Sequence, residues 1–220
     1  SGFHGLGETY RAPRGMLEYV RGLAADIVGE NPLDTDRIAA LLNQNYTANG
    51  RFGQGAFTAI ETACWDIKGK VLDVPVYELL GGKYRDRVKL YCDTHAGEGL
   101  GTAEGTETSI YTPASYARAA EAVIADGFEA LKFDLDVHHT GSVDTAARRL
   151  DNDAIEHKIS LVSAIRDEIG YGPDLGVDLH WNFSVETAVR LGRKLEPFDL
   201  AWLEDPVPPD RLDAQRRVAS

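Results

Sequence analysis

Apolar side chains recur at helical spacing through the first 87 residues. Three stretches have apolar residues three or four positions apart, which predicts three amphipathic helices. The first covers residues 14–29, the second follows Asp34 as its N-cap, and the third begins near Gly53 and ends before Pro75. VYELL predicts a further short helix, and the opening SGFHGLGETY is typical of a strand end that leads into a turn. This region is therefore predicted to be largely helical.

From Val88 onwards the pattern changes to strands that alternate with helices. Four short apolar runs, each typical of a strand, are separated by three amphipathic stretches, in the order β-α-β-α-β-α-β. The first of these helices has Thr112 as its N-cap, Pro113 in its first turn and Gly127 at its C-terminal end. Such an alternation with short connections predicts a parallel sheet covered by helices.

These two patterns predict two domains, residues 1–87 and residues 88–220. In the second domain, wider connections follow two of the strands, at residues 96–111 and 137–151. Extra length at this end of parallel strands is where α/β barrels place their substrate loops. We therefore expect a functional site at the carboxyl ends of the strands.

Composition and charge narrow the choice of partners. The chain has 35 acidic and 23 basic residues, a net charge of −12, and it is 43% hydrophobic and 26% charged, as in a soluble globular protein. This balance argues against nucleic acid or an anionic membrane as a partner. Surplus carboxylates suit a bound cation and equally serve solubility, so charge alone does not decide between the two.

The two cysteines, Cys64 and Cys92, lie in apolar stretches and lack the spacing of a zinc site. We expect both to be buried free thiols, which fits a reducing, cytoplasmic location. We also expect no signal peptide, no membrane-spanning segment and no membrane role.

Polar residues stand at the ends of three successive predicted strands. These residues are Lys132 and Asp134, then Asp178 and His180, then Glu204. Residues two apart on a strand share a face, and catalytic groups of α/β barrels lie at the carboxyl ends of the strands. Asp178 and Glu204 can bind a hard divalent cation such as Mg²⁺, and His180 can act as a general acid or base beside it.

Each of these residues also has a simpler interpretation. A strand-end aspartate often caps the next helix, a histidine can be a satisfied structural residue, and a lysine can extend to solvent. Three successive strands with the same arrangement favour a joint site.

Three segments resemble the enolase superfamily, in its mandelate racemase and muconate lactonizing enzyme-like branch. AFTAIETACWDIKGKVLDVPVYELLGG is similar to the helix and linker before the barrel, and GVDLHWNFSVETAV and LAWLEDPVPPD are similar to the strands with the first two metal ligands. The resemblance implies an α/β fold, with an N-terminal α+β capping domain followed by part of a modified (β/α) TIM-type barrel. It also implies that Mg²⁺, held by Asp178 and Glu204, stabilises the enediolate formed when the proton next to a carboxylate is removed.

Two features narrow the implied reaction. Many members carry Lys-x-Lys on the second barrel strand, whereas this chain has Lys132 followed by Asp134, so the racemase-type base is missing. The Asp178-x-His180 pair is similar to the acid-sugar dehydratases of galactonate, gluconate and mannonate, in which this histidine is the acid for the departing hydroxyl. The resemblance thus implies a lyase that converts an aldonate or aldarate to a 2-keto-3-deoxy acid. The alternatives are a racemase or epimerase of an α-hydroxy acid, or a catalytically inactive fragment.

The resemblance also implies residues around the substrate. Lys132 would act on the substrate charge as a second catalytic residue beside His180. The substrate-binding candidates are Asp134, Arg51, His138 and His139. Arg51 lies in residues 46–55, which align with a glycine-containing capping loop that closes over the substrate, and the two histidines could equally be exposed loop residues.

Compared with this family, the sequence is expected to be truncated at both ends. It would start inside the capping domain and end after the fourth βα unit of the barrel, so that the third metal ligand and a second catalytic base would lie beyond Ser220. The implied partner is a small-molecule sugar acid, and the family implies a homo-oligomer.

Overall fold

The chain divides into two compact units in the computed structural model. Unit 1 is Ser1–Arg87 and unit 2 is Val88–Ser220, so the division falls where the hydrophobic pattern changes. The residues that the structure describes are 2–9, 15–94, 96, 111–137 and 148–220, and of these the side chains of residues 44–52 are not described.

Helix packing forms the core of unit 1. Helix α1 spans Met16–Ile27, α2 spans Thr35–Leu72 and the short α3 spans Val76–Leu79. The buried side chains of this core come from α1 and α2: Met16, Leu23, Ile38, Leu42, Ala56 and Cys64. Burial of each larger apolar side chain contributes about 1.5–3 kcal/mol of free energy, which stabilises the pairing of the two helices.

The two helices predicted after Asp34, and the loop predicted at residues 46–55, form the single helix α2. The loop prediction is wrong because the buried residues on either side of this segment lie in helical phase with each other. Ala56 follows Leu42 by about four helical turns, and both are fully buried in the same core. Burial of Leu42 before the segment and of Ala56 after it offsets the cost of the glycines between them, about 1 kcal/mol each in a helix interior. Asp34 is the N-cap residue, as predicted, although its side chain makes no capping hydrogen bond.

Residues 2–9 contain no strand in the structure, so the prediction of a strand end is wrong within these residues. They lie along α2, where the backbone N–H of Leu6 donates to the carboxylate of Asp66 at 2.8 Å. Gly5 and Gly7 approach the helix so closely that a Cβ would lie 1.9 and 1.8 Å from backbone oxygens of α2. The glycines therefore permit a close contact with a helix, which a strand pattern does not anticipate.

Unit 2 alternates strands and helices as predicted. In its described part, four strands form one parallel sheet in the order β1-β2-β3-β4. The strands are β1 (Cys92–Thr94), β2 (Ala130–Asp134), β3 (Asp174–Asp178) and β4 (Trp202–Glu204). The helices are α4 (Pro113–Ala125), α5 (Asn152–Ile169), α6 (Val185–Leu195) and α7 (Leu212–Val218), with a 3₁₀ turn at Glu196–Phe198. The sequence did not predict α7, because so short a segment carries little periodic signal.

Side-chain caps define where the helices of unit 2 begin. Thr112 forms a capping box at the start of α4, and Gly127 follows its end with a φ of 89°, both as predicted. Asp151 and Ser184 cap α5 and α6 through hydrogen bonds to backbone N–H groups three residues on. Each cap satisfies a donor that the helix leaves unpaired, and so stabilises its first turn.

The two faces of the sheet differ in chemistry. Leu131 and Phe133 of β2, with Leu175 and Val177 of β3, are fully buried in the core shared with α4, α5 and α6. Residues on the opposite face of β2, β3 and β4 include Lys132, Asp134, Asp178 and Glu204. Because alternate residues of a strand point to opposite faces, the helices cover the apolar face and the polar side chains share the other.

Arg166 of α5 fastens the end of the sheet that lies away from these polar residues. Its buried guanidinium donates to the backbone carbonyls of Gly170, Pro173, Phe198 and Asp199 over distances of 2.7–3.1 Å. These carbonyls precede β3 and β4, so one side chain ties the starts of two neighbouring strands to a helix.

Two smaller predictions concern the cysteines and the membrane. Cys64 and Cys92 are both free thiols, as predicted, but only Cys64 is buried, whereas Cys92 in β1 is half-buried. In the parts of the chain that the structure describes, no helix has both the length and the apolarity needed to cross a membrane.

Candidate active site

Three carboxylates stand in a row at the ends of β2, β3 and β4. Asp134, Asp178 and Glu204 are the last residues of these strands. Asp134 pairs with Asp178 in the β2–β3 register, and Asp178 pairs with Glu204 in the β3–β4 register. The parallel register therefore brings these three predicted residues together at the carboxyl edge of the sheet. We call them the carboxylate row.

Lys132 supplies positive charge to this row. Its side chain is 7% exposed, and Nζ lies 2.9 Å from Asp178 Oδ2, 3.4 Å from Glu204 Oε2 and 3.5 Å from Asp93 Oδ1. Burial opposes the charge of the ammonium group, but the hydrogen bond to Asp178 and the surrounding carboxylates outweigh it and raise the pKa of Lys132. One cation thus contacts three carboxylates, which leaves an excess of negative charge.

Asp178 is the most buried member of the row, with 2% of its surface exposed. Its Oδ2 accepts a hydrogen bond from Lys132, and its Oδ1 accepts one from the backbone N–H of His180 at 2.9 Å. Burial acts to raise the pKa of Asp178, but these hydrogen bonds outweigh it, so the pKa is lowered. Asp178 is therefore an ionised carboxylate whose two oxygens are both held in place.

A strained turn follows β3. His180 and Trp181 have φ values of 43° and 57°, and Asp205 after β4 has a φ of 45°, in the left-handed region that non-glycine residues rarely adopt. Hydrogen bonds across the two turns stabilise them, from Leu179 N–H to Glu204 O at 3.1 Å and from Trp181 N–H to Asp205 O at 2.8 Å. Such conformations cost about 1–3 kcal/mol each and cluster at functional sites.

The turn places the imidazole of His180 between two carboxylates. Its Nδ1 lies 3.2 Å from Asp136 Oδ1, and its Nε2 lies 3.6 Å from Asp178 Oδ2. The amide nitrogen of Asn182 donates to the other oxygen of Asp136. Burial opposes protonation of His180, but Asp136 and Asp178 outweigh it and raise its pKa. This environment favours a histidine that carries a proton and can donate it.

Glu204 is held by an indole. The Nε1–H of Trp202 donates to Glu204 Oε2 at 3.1 Å, and the same oxygen faces Lys132. The Glu204 side chain is 35% exposed, so it is far less enclosed than that of Asp178. Its orientation therefore depends on these two donors.

The residues of the site fit a hard divalent cation. Asp134, Asp178 and His180 each offer a ligand atom, and these atoms lie within 4.8 Å of one another. Glu204, predicted as a ligand with Asp178, lies outside this group of three but shares Lys132 with Asp178. Carboxylate oxygens are the ligands that Mg²⁺ prefers, and the excess negative charge of the row favours a cation.

Three predicted substrate-binding residues cannot be placed in this site. His138 and His139 lie outside the described residues. The backbone of Arg51 lies in α2, and its side chain is outside the description. Their roles remain predictions.

The sequence analysis missed four residues of the site. Asp136 holds His180, Asn182 donates to Asp136, Trp202 holds Glu204, and Asp93 faces Lys132. A signal was present for two of them. Asp136 continues the alternation of Lys132 and Asp134, and Trp202 precedes Glu204 by two residues, so each is placed to share a face with a predicted residue.

The carboxyl edge of a parallel sheet, where this chain has carboxylates, a lysine and a histidine, is where α/β barrels place their catalytic groups. Residues 115–220 match the family model described as Enolase C-terminal domain-like. Residues 1–81 match the model for the N-terminal domain of mandelate racemase / muconate lactonizing enzyme. The chain therefore belongs to the mandelate racemase / muconate lactonizing enzyme family of the enolase superfamily, as its motifs implied.

Relatives in this family include sugar-acid dehydratases. D-xylonate dehydratase from Haloferax volcanii is 39% identical, over 99% of this chain and 51% of the relative. D-gluconate dehydratase from Thermoproteus tenax is 33% identical, over 75% of this chain and 30% of the relative. A mandelate racemase/muconate lactonizing enzyme-like protein from Rubrobacter xylanophilus has a similar structure, with a TM-score of 0.86 and 33% identity over 99% of this chain and 58% of that one. The chain spans about half the length of the curated relatives it matches.

Proposed function

We propose that the protein dehydrates a sugar acid, an aldonate or aldarate, to a 2-keto-3-deoxy acid with the help of Mg²⁺. The observation that carries this proposal is the placement of His180 between Asp136 and Asp178, beside carboxylates that share one lysine. Dehydration next to a carboxylate needs a proton for the departing hydroxyl. It also needs positive charge near the substrate carboxylate, where negative charge develops. The relatives named as dehydratases of D-xylonate and D-gluconate support the same substrate class.

In this proposal, Asp178 and Glu204 hold Mg²⁺. When bound, the ion supplies positive charge that stabilises the negative charge developing on the substrate carboxylate. Lys132 Nζ, within 4 Å of both ligands, adds a second positive charge at the same place. Asp134, next to Asp178 in the register, would contact the substrate.

His180 acts as the general acid. As the proton on C2 is lost and the C3–O bond breaks, Nε2 of His180 donates its proton to the departing hydroxyl, which leaves as water. Asp136 stabilises the protonated imidazole through Nδ1, so that Nε2 remains the donor towards the substrate. The enol product then gives the 2-keto-3-deoxy acid by a shift of one proton from oxygen to carbon. We assign no residue to removal of the C2 proton.

We further propose that unit 1 is the capping domain and that unit 2 contains the first four βα units of the barrel. The positions of the two family-model matches support this division. Binding of the substrate by Arg51, His138 and His139, and assembly into a homo-oligomer, remain predictions.

A substrate panel tests the proposed reaction. The full-length protein is incubated with Mg²⁺ and single C5 and C6 aldonic and aldaric acids, and 2-keto-3-deoxy product is trapped with semicarbazide. We expect product from a small subset of these acids, loss of product with a chelator, and recovery when Mg²⁺ is restored in excess.

The same reactions, run in deuterated water, separate the alternatives. Incorporation of deuterium at C2 without loss of water would identify a racemase or epimerase and overturn dehydration. Neither product nor exchange with any acid would favour the inactive alternative.

A further inference from the structure

We propose that Trp202 is a positioning residue, whose indole N–H orients Glu204 for binding a divalent cation. The inference rests on the proposed function, because it assigns Glu204 as a ligand. Trp202 itself touches neither substrate nor metal in this role.

The first support is that the hydrogen-bond donors around Glu204 approach only one of its two carboxylate oxygens. Trp202 Nε1 lies 3.1 Å from Oε2, and Lys132 Nζ lies 3.4 Å from the same oxygen. Both donors that the structure records for Glu204 thus approach Oε2, which leaves Oε1 available as a ligand. In this arrangement one oxygen of Glu204 is anchored and the other is offered to a cation that prefers oxygen ligands.

The second support is that the indole is itself fixed. Trp202 pairs with Gly176 in the β3–β4 register, and a Cβ at Gly176 would lie 2.1 Å from the indole Cε2. The ring therefore packs directly on the backbone of β3, in a space that only glycine leaves free. Tyr91, the residue before β1, makes an edge contact with the ring, with centroids 5.2 Å apart and planes at 65°. These two packing contacts constrain the direction of the indole N–H.

The third support is that Lys132 alone does not determine where Glu204 points. Its ammonium lies closer to Asp178, at 2.9 Å, and it also faces Asp93. An ammonium group on a flexible stem contributes charge with little direction, whereas an indole N–H donates along one line. Because the Glu204 side chain is 35% exposed, it has rotamer freedom that must be lost on binding a cation. The indole hydrogen bond removes that freedom beforehand.

Trp202→Phe tests this role, with Trp65→Phe as a matched control. Trp65 lies in unit 1 and also donates its indole N–H to a glutamate, Glu61, at 3.0 Å. Both variants lose the same kind of hydrogen bond, but only one loses it at the carboxylate row. Mg²⁺ binding to the full-length protein is measured by calorimetry, together with the melting temperature of each variant.

We expect Trp202→Phe to raise the Kd for Mg²⁺ about tenfold. This is the lower end of the loss in metal affinity that follows when a residue hydrogen-bonded to a metal ligand is removed. Turnover should fall at low Mg²⁺ and recover at saturating Mg²⁺, whereas Trp65→Phe should leave the Kd for Mg²⁺ unchanged. If Trp202→Phe proves unstable, benzothienylalanine at position 202 keeps the bicyclic ring and removes only the N–H donor.

The outcomes distinguish this inference from the proposed function. A wild-type protein that binds Mg²⁺, together with Trp202 variants whose Kd stays within about twofold of it, overturns the role of Trp202 alone. An equal loss in Trp65→Phe also overturns it. A wild-type protein that does not bind Mg²⁺ overturns the metal assignment itself.

Discussion

The described part of unit 2 buries two lysines, in regions of opposite character. Lys132 lies in the carboxylate row with 6% of its surface exposed, and Lys158 of α5 lies among apolar side chains with 1% exposed. Lys158 Nζ donates to the carbonyl of Val137 at 2.9 Å and lies 5.6 Å from the ring centroid of Phe183. Burial lowers the pKa of Lys158 to about 8, with partial compensation by Asp136, whereas the carboxylates raise the pKa of Lys132.

The difference shows that burial alone does not determine the charge of a side chain. Both ammonium groups lose water, and the partners decide the outcome. Lys132 meets three carboxylates and stays charged, so it can serve the electrostatics of a reaction. Lys158 meets a carbonyl and an aromatic ring, and it connects the segments after β2 and β3. We therefore expect changes in the carboxylate row to affect chemistry, and changes at Lys158 to affect mainly stability.

The largest expected effect comes from removing the proposed acid beside the carboxylate row. His180→Asn should lower kcat about 10²- to 10⁴-fold, because the departing hydroxyl loses its proton donor. His157→Asn, which removes a histidine from α5 in the same unit, is the control and should retain activity. Steady-state rates on a substrate found in the panel provide the measurement. Similar rates for both variants would remove His180 from the mechanism.

The next effect is the loss of the cation shared by the row. Lys132→Met should lower the free energy of unfolding by about 3–5 kcal/mol, because the buried carboxylate of Asp178 is left without its partner. Urea unfolding measures the change, and added Mg²⁺ should restore more stability to this variant than to the wild type. Lys83→Met removes an exposed pair with Asp86 and should have little effect. Equal losses in the two variants would contradict this view of Lys132.

For Lys158 we expect a pH-dependent effect on stability, because its pKa is lowered, whereas that of Lys132 is raised. The folded pKa of Lys158, about 8, lies below the usual 10.5, so between these values the unfolded chain binds more protons than the folded one. The free energy of unfolding should therefore rise with pH across this window, by roughly 3 kcal/mol from this group. Lys158→Met should remove that rise.

Paired unfolding curves of wild type and Lys158→Met, from neutral pH to pH 10.5, isolate this contribution, because all other groups are common to both. The raised pKa of Lys132 does not interfere, since its stabilisation is fully present below 10.5 and is lost only as pH rises through its folded value. Parallel curves would show that Lys158 titrates normally in the folded protein.

The smallest expected effect concerns Asp136, which holds His180. Asp136→Asn keeps the shape and a neutral hydrogen bond, so we expect a loss of about 1 kcal/mol in transition-state stabilisation, roughly fivefold in kcat. The Kd for Mg²⁺ should not change, in contrast to the expectation for Trp202→Phe. Asp174→Asn, at the other end of β3, is the control and should not alter kcat. A weaker Mg²⁺ affinity in Asp136→Asn would place Asp136 with the ligands and not with the acid.

Much of the carboxylate row was predictable from sequence, because parallel strands bring their last residues to one edge. The i, i+2 spacing correctly predicted that Asp178 and His180 lie close together. The reason was different, because they do not meet as two residues on one face of a strand. His180 follows the end of β3 and reaches Asp178 through two left-handed residues. Periodicity carries no information about such a turn.

The failures of prediction have physical causes as well. The loop at residues 46–55 was expected from the family resemblance, but packing of the flanking residues on α1 supports a continuous helix there in spite of its glycines. Trp202 was missed because a tryptophan in an apolar strand is typical of a core residue. The structure shows instead that the ring packs over Gly176 and that its N–H donates to Glu204.

The hydrogen bonds of Arg166 affect which parts of unit 2 can be altered without moving its strands. Its four hydrogen bonds set the spacing of β3 and β4 from the end of the sheet opposite the carboxylate row. The spacing of the two strands therefore does not rely on the connections at their other ends. A designer who wished to give this scaffold a new substrate could keep His180 and Asn182 after β3, vary the connection after β4 beyond Asp205, and leave Arg166 untouched.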